Sequence, residues 1–115
     1  MKIVSLTFVI LLLSTPAWAA SNVVSWIDNS ANEQNFNIER KAEACAGVLP
    51  FSALATVGPN VVSYTDSAVT EGVTYCYRVD ASNTAGVSAY SNTACRTVPF
   101  TIPAAPSGLG VSAGP

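Results

Sequence analysis

An all-β, antiparallel β-sandwich is the fold class this sequence predicts, and three observations predict it. Short runs alternate apolar and polar residues with a period of two, the signature of half-buried strands. Clusters of Gly, Pro, Asn, Asp and Ser separate these runs about every ten residues. Beyond the N-terminal segment, no stretch of useful length carries a helical repeat of apolar positions. With 115 residues there is room for one domain of ordinary size.

The strands follow in order. Val23-Val24-Ser25-Trp26-Ile27 is a short apolar run with Trp26 on the core face. Residues 28–33 are polar and dense in turn formers, so they form a loop. Asn35–Lys41 alternates, with Phe36 and Ile38 on one face and Asn37 and Glu39 on the other. Residues 43–50, with Gly47 and Pro50, make a connection to a weaker strand over 51–57. Gly58-Pro59-Asn60 is a turn, residues 61–65 are a strand closed by Asp66, and residues 69–74 form a corner around Glu71-Gly72.

The strongest signal is the hairpin over residues 74–91. Tyr75, Tyr77, Val79 and Ala81 alternate with Cys76, Arg78, Asp80 and Ser82, then Asn83-Thr84-Ala85-Gly86 supplies the turn. A second alternating run returns from Ser88. Two sheets packed face to face would bury Trp26, Phe36, Ile38, Tyr64, Tyr75, Tyr77 and Val79, the predicted core.

The N-terminus reads as a secretory signal over residues 1–19. Lys2 provides its positive end, residues 3–13 its apolar stretch and Ala17-Trp18-Ala19 its cleavage signal. About eleven apolar residues fall short of the roughly 20 that a spanning helix needs, so no stable membrane span is expected. An exported product, extracellular or periplasmic, follows. Without Lys2, four basic residues stand against seven acidic ones, a net charge of −3. A mildly acidic domain without a basic patch does not suit nucleic acid.

Three cysteines in an exported chain are read as one bridge and one leftover thiol. Setting Ala85-Gly86 at the centre of the hairpin places Cys76 opposite Cys95. Both then point outward, because Tyr75 and Tyr77 point inward, so Cys76–Cys95 is the favoured pair.

The blocks VSWIDNSANEQNFNIERK and SYTDSAVTEGVTYCYRVDASNTAGVSAYSN carry a resemblance. Together they resemble a fibronectin type III domain of the kind found in bacterial secreted proteins, over about residues 22–98. The resemblance implies an immunoglobulin-like sandwich in which Tyr75 is the corner tyrosine, its hydroxyl bonded to backbone near Val69. It also implies that the end of the FNIER strand lies near the start of the hairpin, where Cys45 competes for Cys76 and leaves Cys95 free.

One departure matters. The complete domain type begins with an extra strand announced by proline and a Leu-x-Val pattern, and here the leader runs almost directly into the Trp26 strand. That pattern instead stands at the far end, in Pro103-Ala104-Ala105-Pro106-Ser107-Gly108-Leu109-Gly110-Val111. The expected division is therefore a leader over 1–19, a fibronectin type III-like domain over 20–98 lacking its first strand, and a linker with the start of a following domain over 99–115. The Trp26 strand is left with a free edge. Three explanations compete: a fragment of a longer multidomain chain, which is favoured; a tail that folds back over the edge; or an edge that accepts a partner's strand. A tail returning within the same chain would lie parallel to the Trp26 strand.

Chemistry is sparse. There is no histidine, no phosphate loop, no zinc or calcium spacing and no Arg-Gly-Asp triplet. Asp66, Glu71 and Asp80 are scattered over strand ends and turns, where solvated or turn-capping roles are the ordinary expectation. No catalytic, cofactor-binding or metal-ligating residue is assigned, and no cofactor is expected. The expected function is a non-catalytic exported module, a spacer or a protein-interaction unit, with other chains, neighbouring domains or its own copies as partners. The second reading is an accessory domain of a secreted polysaccharide-degrading enzyme; a flat row of exposed aromatics would favour it. An enzyme built on the sandwich is the third.

Overall fold

Two sheets of unequal width face each other in the computed structural model, which describes residues 20–115. The expected leader lies outside the described residues. The strands are β1 (Asn22–Ser25), β2 (Asn35–Lys41), β3 (Ser52–Val57), β4 (Ser63–Asp66), β5 (Thr74–Asn83), β6 (Gly86–Val87) and β7 (Ala94–Thr97). β1 and β4 form a two-stranded sheet. The wide sheet runs β3-β2-β5-β6, with β7 also paired to β5. Every pairing is antiparallel.

Register explains which side chains meet. β2 and β5 pair Phe36 with Ala81, Ile38 with Val79 and Arg40 with Tyr77, so these residues share the inner face. Asn37, Glu39, Lys41, Cys76, Arg78 and Asp80 take the outer face, because neighbours along a strand point opposite ways. The buried core is Phe36, Ile38, Tyr75, Tyr77, Val79 and Val98, with Trp26 and Tyr64 half-buried against it. Trp26 lies one residue past β1 and packs its ring against Phe36, centroids 5.6 Å apart.

The hairpin is less regular than its alternation predicts. Asn83 pairs with Gly86 around Thr84-Ala85, one residue earlier than the expected centre, and the Asn83 side chain accepts from the Ala85 N–H. The returning strand then gains residues relative to β5 between Val87 and Ala94. Across that stretch Ser88 and Ser91 accept from the Ala81 and Val79 N–H groups through their hydroxyls. The register recovers as Cys76 opposite Cys95.

The expected Cys76–Cys95 bridge is not formed; the bond is Cys45–Cys76, with Cα atoms 5.1 Å apart. The two cross-strand cysteines do face each other, but the loop after β2 folds back over the outer face. Lys41 Nζ donates to the carbonyls of Cys45 (3.0 Å) and Gly47 (2.8 Å) and so brings Cys45 above Cys76. Cys76 is completely buried and Cys95 is an exposed free thiol.

Candidate interaction surfaces

The carboxylates singled out in the sequence do not converge. Asp66 is buried rather than solvated, and it organises a structural network. Arg40 Nη1 donates to its Oδ2 at 2.8 Å, the Tyr77 hydroxyl donates to the same oxygen at 2.7 Å, and the Ala68 N–H reaches Oδ1 at 3.1 Å. Asn22 Nδ2 donates to Tyr77 Oη, and Arg96 donates to Asn22 Oδ1 at 2.6 Å, tying β7 to the start of β1. Burial opposes the charge on Asp66, but the Tyr77 and Arg40 bonds outweigh it and hold the carboxyl below its ordinary range. Burial first, then donation to Asp66, pushes the Tyr77 hydroxyl up to about 12.

Asp80 is also buried, accepting from Asn37 Nδ2 at 2.6 Å. Glu71 lies at the corner and takes two bonds from Thr101, which lower its pKa. Each of the three carboxylates thus has a structural partner. Tyr75 Oη accepts from the Thr70 N–H at 2.9 Å, closing the corner before β5. No cluster of three or more metal-ligating side chains occurs among the described residues.

On the outer face of the wide sheet, Arg78 is stacked between two rings. Its guanidinium carbon lies 4.1 Å from the Phe51 centroid and 3.6 Å from that of Tyr90. Glu39 fixes the group by bonding Arg78 and accepting from the Tyr90 hydroxyl. Sequence alternation did not single out Phe51 or Tyr90, since the stack depends on the loop after β2 and the returning strand meeting over β5. Each ring turns a face to the guanidinium, so they do not form the open aromatic row that sugars stack on.

The opposite, narrow side has two strands among the described residues. Trp26 donates its backbone N–H to the Val62 carbonyl, so the N–H and C=O of Val23 and Ser25 point away from β4. Among the described residues no strand pairs with that edge. β7 is hydrogen-bonded to β5, yet all four of its residues are exposed. Between β1 and β7 runs a groove of about 490 Å³ lined by Val24, Trp26, Tyr77, Val79 and Ala94. The indole N–H of Trp26 is buried without an acceptor among the described residues.

The tail leaves from the other end of this groove. Val98 is buried and exchanges backbone bonds with Gly72 and Val73. Gly72 has a φ of 83° and carries the Phe100 ring against its Cα, where a side chain would collide. After Thr101 the chain is exposed to its last residue and has no regular structure.

No family model matches the chain, and no curated protein does. Solved structures do. The sixth fibronectin type III domain of a human fibronectin type III domain containing protein superposes with a TM-score of 0.58 at 18% identity, covering 77% of this chain and 81% of that one. The twitchin kinase region of C. elegans gives 0.57 at 24% identity, over 73% of this chain but only 15% of that much longer one. A myokine structure gives 0.53 at 24% identity, over 71% and 85%. Strand order, corner tyrosine and these superpositions define one class: the chain has the fibronectin type III fold.

Proposed function

We propose that this chain is a non-catalytic exported module that acts as a spacer or protein-interaction unit. The observation that carries the reading is the bare edge of β1, a row of backbone donors and acceptors beside an apolar groove. Asp66, Glu71 and Asp80 each bond a structural partner rather than one another. The buried Cys45–Cys76 bond supports an oxidising compartment, and the leader read in the sequence supports export. The resemblance to secreted bacterial modules supports the same placement. By this reading the domain spans residues 20–98 and residues 99–115 form a linker with a strand-forming end.

Amide hydrogen exchange tests the reading. Val23 and Ser25 are expected to exchange fast in the dilute chain and slowly once a partner occupies the edge. The alternative, an accessory domain contacting carbohydrate, is tested by tyrosine and tryptophan fluorescence during titration with soluble xylan, cellulose and chitin oligomers. No saturable change is expected. A saturable change abolished by Tyr90→Ala would move the assignment to the alternative.

A further inference from the structure

Among the described residues no strand occupies the outer edge of β1, and an occupant there needs a definite shape. It must supply backbone groups to Val23 and Ser25, and apolar side chains to the groove lined by Val24, Trp26, Tyr77 and Val79. It must also cover the inner face of β7, where Ala94 and Arg96 stand exposed beside the buried Tyr77 and Tyr75. The tail of this same chain has that composition. Leu109 and Val111 are 96% and 97% exposed and would share one face of the segment once it is paired as a strand, with Gly110 and Ser112 on the other. Pro103 and Pro106 precede the segment, so every residue from Ser107 to Gly114 keeps its pairing N–H.

Direction decides whose tail it is. The end of β7 lies beside the start of β1, where Arg96 reaches Ser21 and Asn22. Ser91 and Asn92, ahead of β7, line the groove with Trp26 and Ile27 past the far end of β1. β1 and β7 therefore run in opposite directions. The tail continues onward from β7, held at Gly72 and Glu71 by Val98 and Thr101. Turning back along its own β1, it would lie parallel to a strand whose other partner is antiparallel, the weaker pairing. An antiparallel strand at this edge runs in the direction of β7, which is how a tail arrives from a second copy standing behind the first in the same orientation. The proline-rich stretch between Thr101 and Ser107 spans about 3.1 Å per residue when extended, enough to separate the two domains.

We propose that residues 107–113 of one copy complete the sandwich of the next, as an antiparallel strand on the β1 edge. Such a contact is heterologous and leaves a free edge at one end and a free tail at the other, so it propagates as a head-to-tail chain rather than closing as a dimer. The inference rests on the reading of the chain as an interaction module, and it names the partner as a second copy.

The test uses the full chain carrying Cys95→Ser, which removes adventitious disulfide links, in sedimentation velocity over a range of concentrations. A ladder of species that grows with concentration is expected. Leu109→Asp with Val111→Asp disables the tail without touching the folded domain. Val23→Pro disables the edge, since the Val23 side chain is 70% exposed and its N–H is not bonded to β4. Each variant alone is expected to stay monomeric, with association weakened about tenfold or more. Mixed together, they are expected to form a one-to-one dimer that grows no further, because one retains only an edge and the other only a tail.

A parent chain that is monomeric at every concentration overturns the proposal. So does assembly that survives the tail variant, or a monomer whose Val23 and Ser25 amides are already protected by its own tail. The first two failures leave the module reading in place, which falls instead to saturable carbohydrate binding; the third also removes the bare edge on which that reading rests.

Discussion

The two sides of this sandwich are finished to different standards. On the wide side, β2 and β5 pair over seven residues, the loop after β2 is bolted down by Cys45–Cys76 and Lys41, and the outer face carries the Phe51–Arg78–Tyr90 stack. On the narrow side, two four-residue strands stand alone, a groove opens beside them and β7 is bare. Stability is concentrated where the strands are long and cross-linked. The narrow side has few internal contacts, and binding there would cost the least disruption of the fold.

Breaking the cross-link should have the largest effect. Cys45→Ser with Cys76→Ser frees a loop of 31 residues in sequence and should cost about 3–4 kcal/mol in urea unfolding, whereas Cys95→Ser should change stability by less than about 0.5 kcal/mol. A non-reducing peptide map should link Cys45 to Cys76 and leave Cys95 alkylatable.

The Asp66 network comes next, and it joins the two sides. Asp66→Ala strands Arg40 and the Tyr77 hydroxyl and should cost about 3 kcal/mol. Because Asp66 ionises below its ordinary 3.8 in the fold, its contribution is complete above the unfolded pKa and fades as pH falls through the folded one. Acid unfolding below about pH 4 should therefore be less steep in Asp66→Asn. Tyr77 has the opposite sign. Its folded pKa of about 12 stands above the ordinary 10.0, so stability should be full below pH 10 and drain between 10 and 12, a step that Tyr77→Phe should remove. Denaturant midpoints across pH measure both.

A smaller loss is expected at the corner. Tyr75→Phe deletes the acceptor of the Thr70 N–H and should cost about 1 kcal/mol. The narrow edge should yield least. Val23→Thr, at a position 70% exposed, should shift unfolding of the dilute chain by less than about 0.5 kcal/mol. A loss of several kcal/mol there would mean that the edge is a structural element, and the contrast between the two sides would fail.

Much of this was legible in the chain. Alternation through β2 and β5 assigns faces without reference to any partner, because a strand's side chains must alternate. The corner at residues 69–74 and the turn after Ser82 announce themselves through glycine and asparagine. Illegible from alternation alone were the groups whose neighbours come from elsewhere in sequence. Val98 is 1% exposed although it follows an exposed strand, because the chain after β7 tucks beneath Gly72. Glu33 is buried in a polar loop because Ser30 and the Asn60 N–H satisfy its oxygens. Lys41 is buried because loop carbonyls surround its ammonium group.

The disulfide marks the boundary most clearly. An antiparallel sandwich, the inward set around Ile38, Tyr75, Tyr77 and Val79, and the opposition of Cys76 to Cys95 could all be read from the chain, since each follows from a local period and a turn. The packing in three dimensions sets the rest: Cys76 bonds Cys45, Asp66 is buried, and among the described residues no strand pairs the outer edge of β1. Those outcomes depend on where loops land after the strands have paired, and a repeat of two along one strand holds no information about a loop's path across its face.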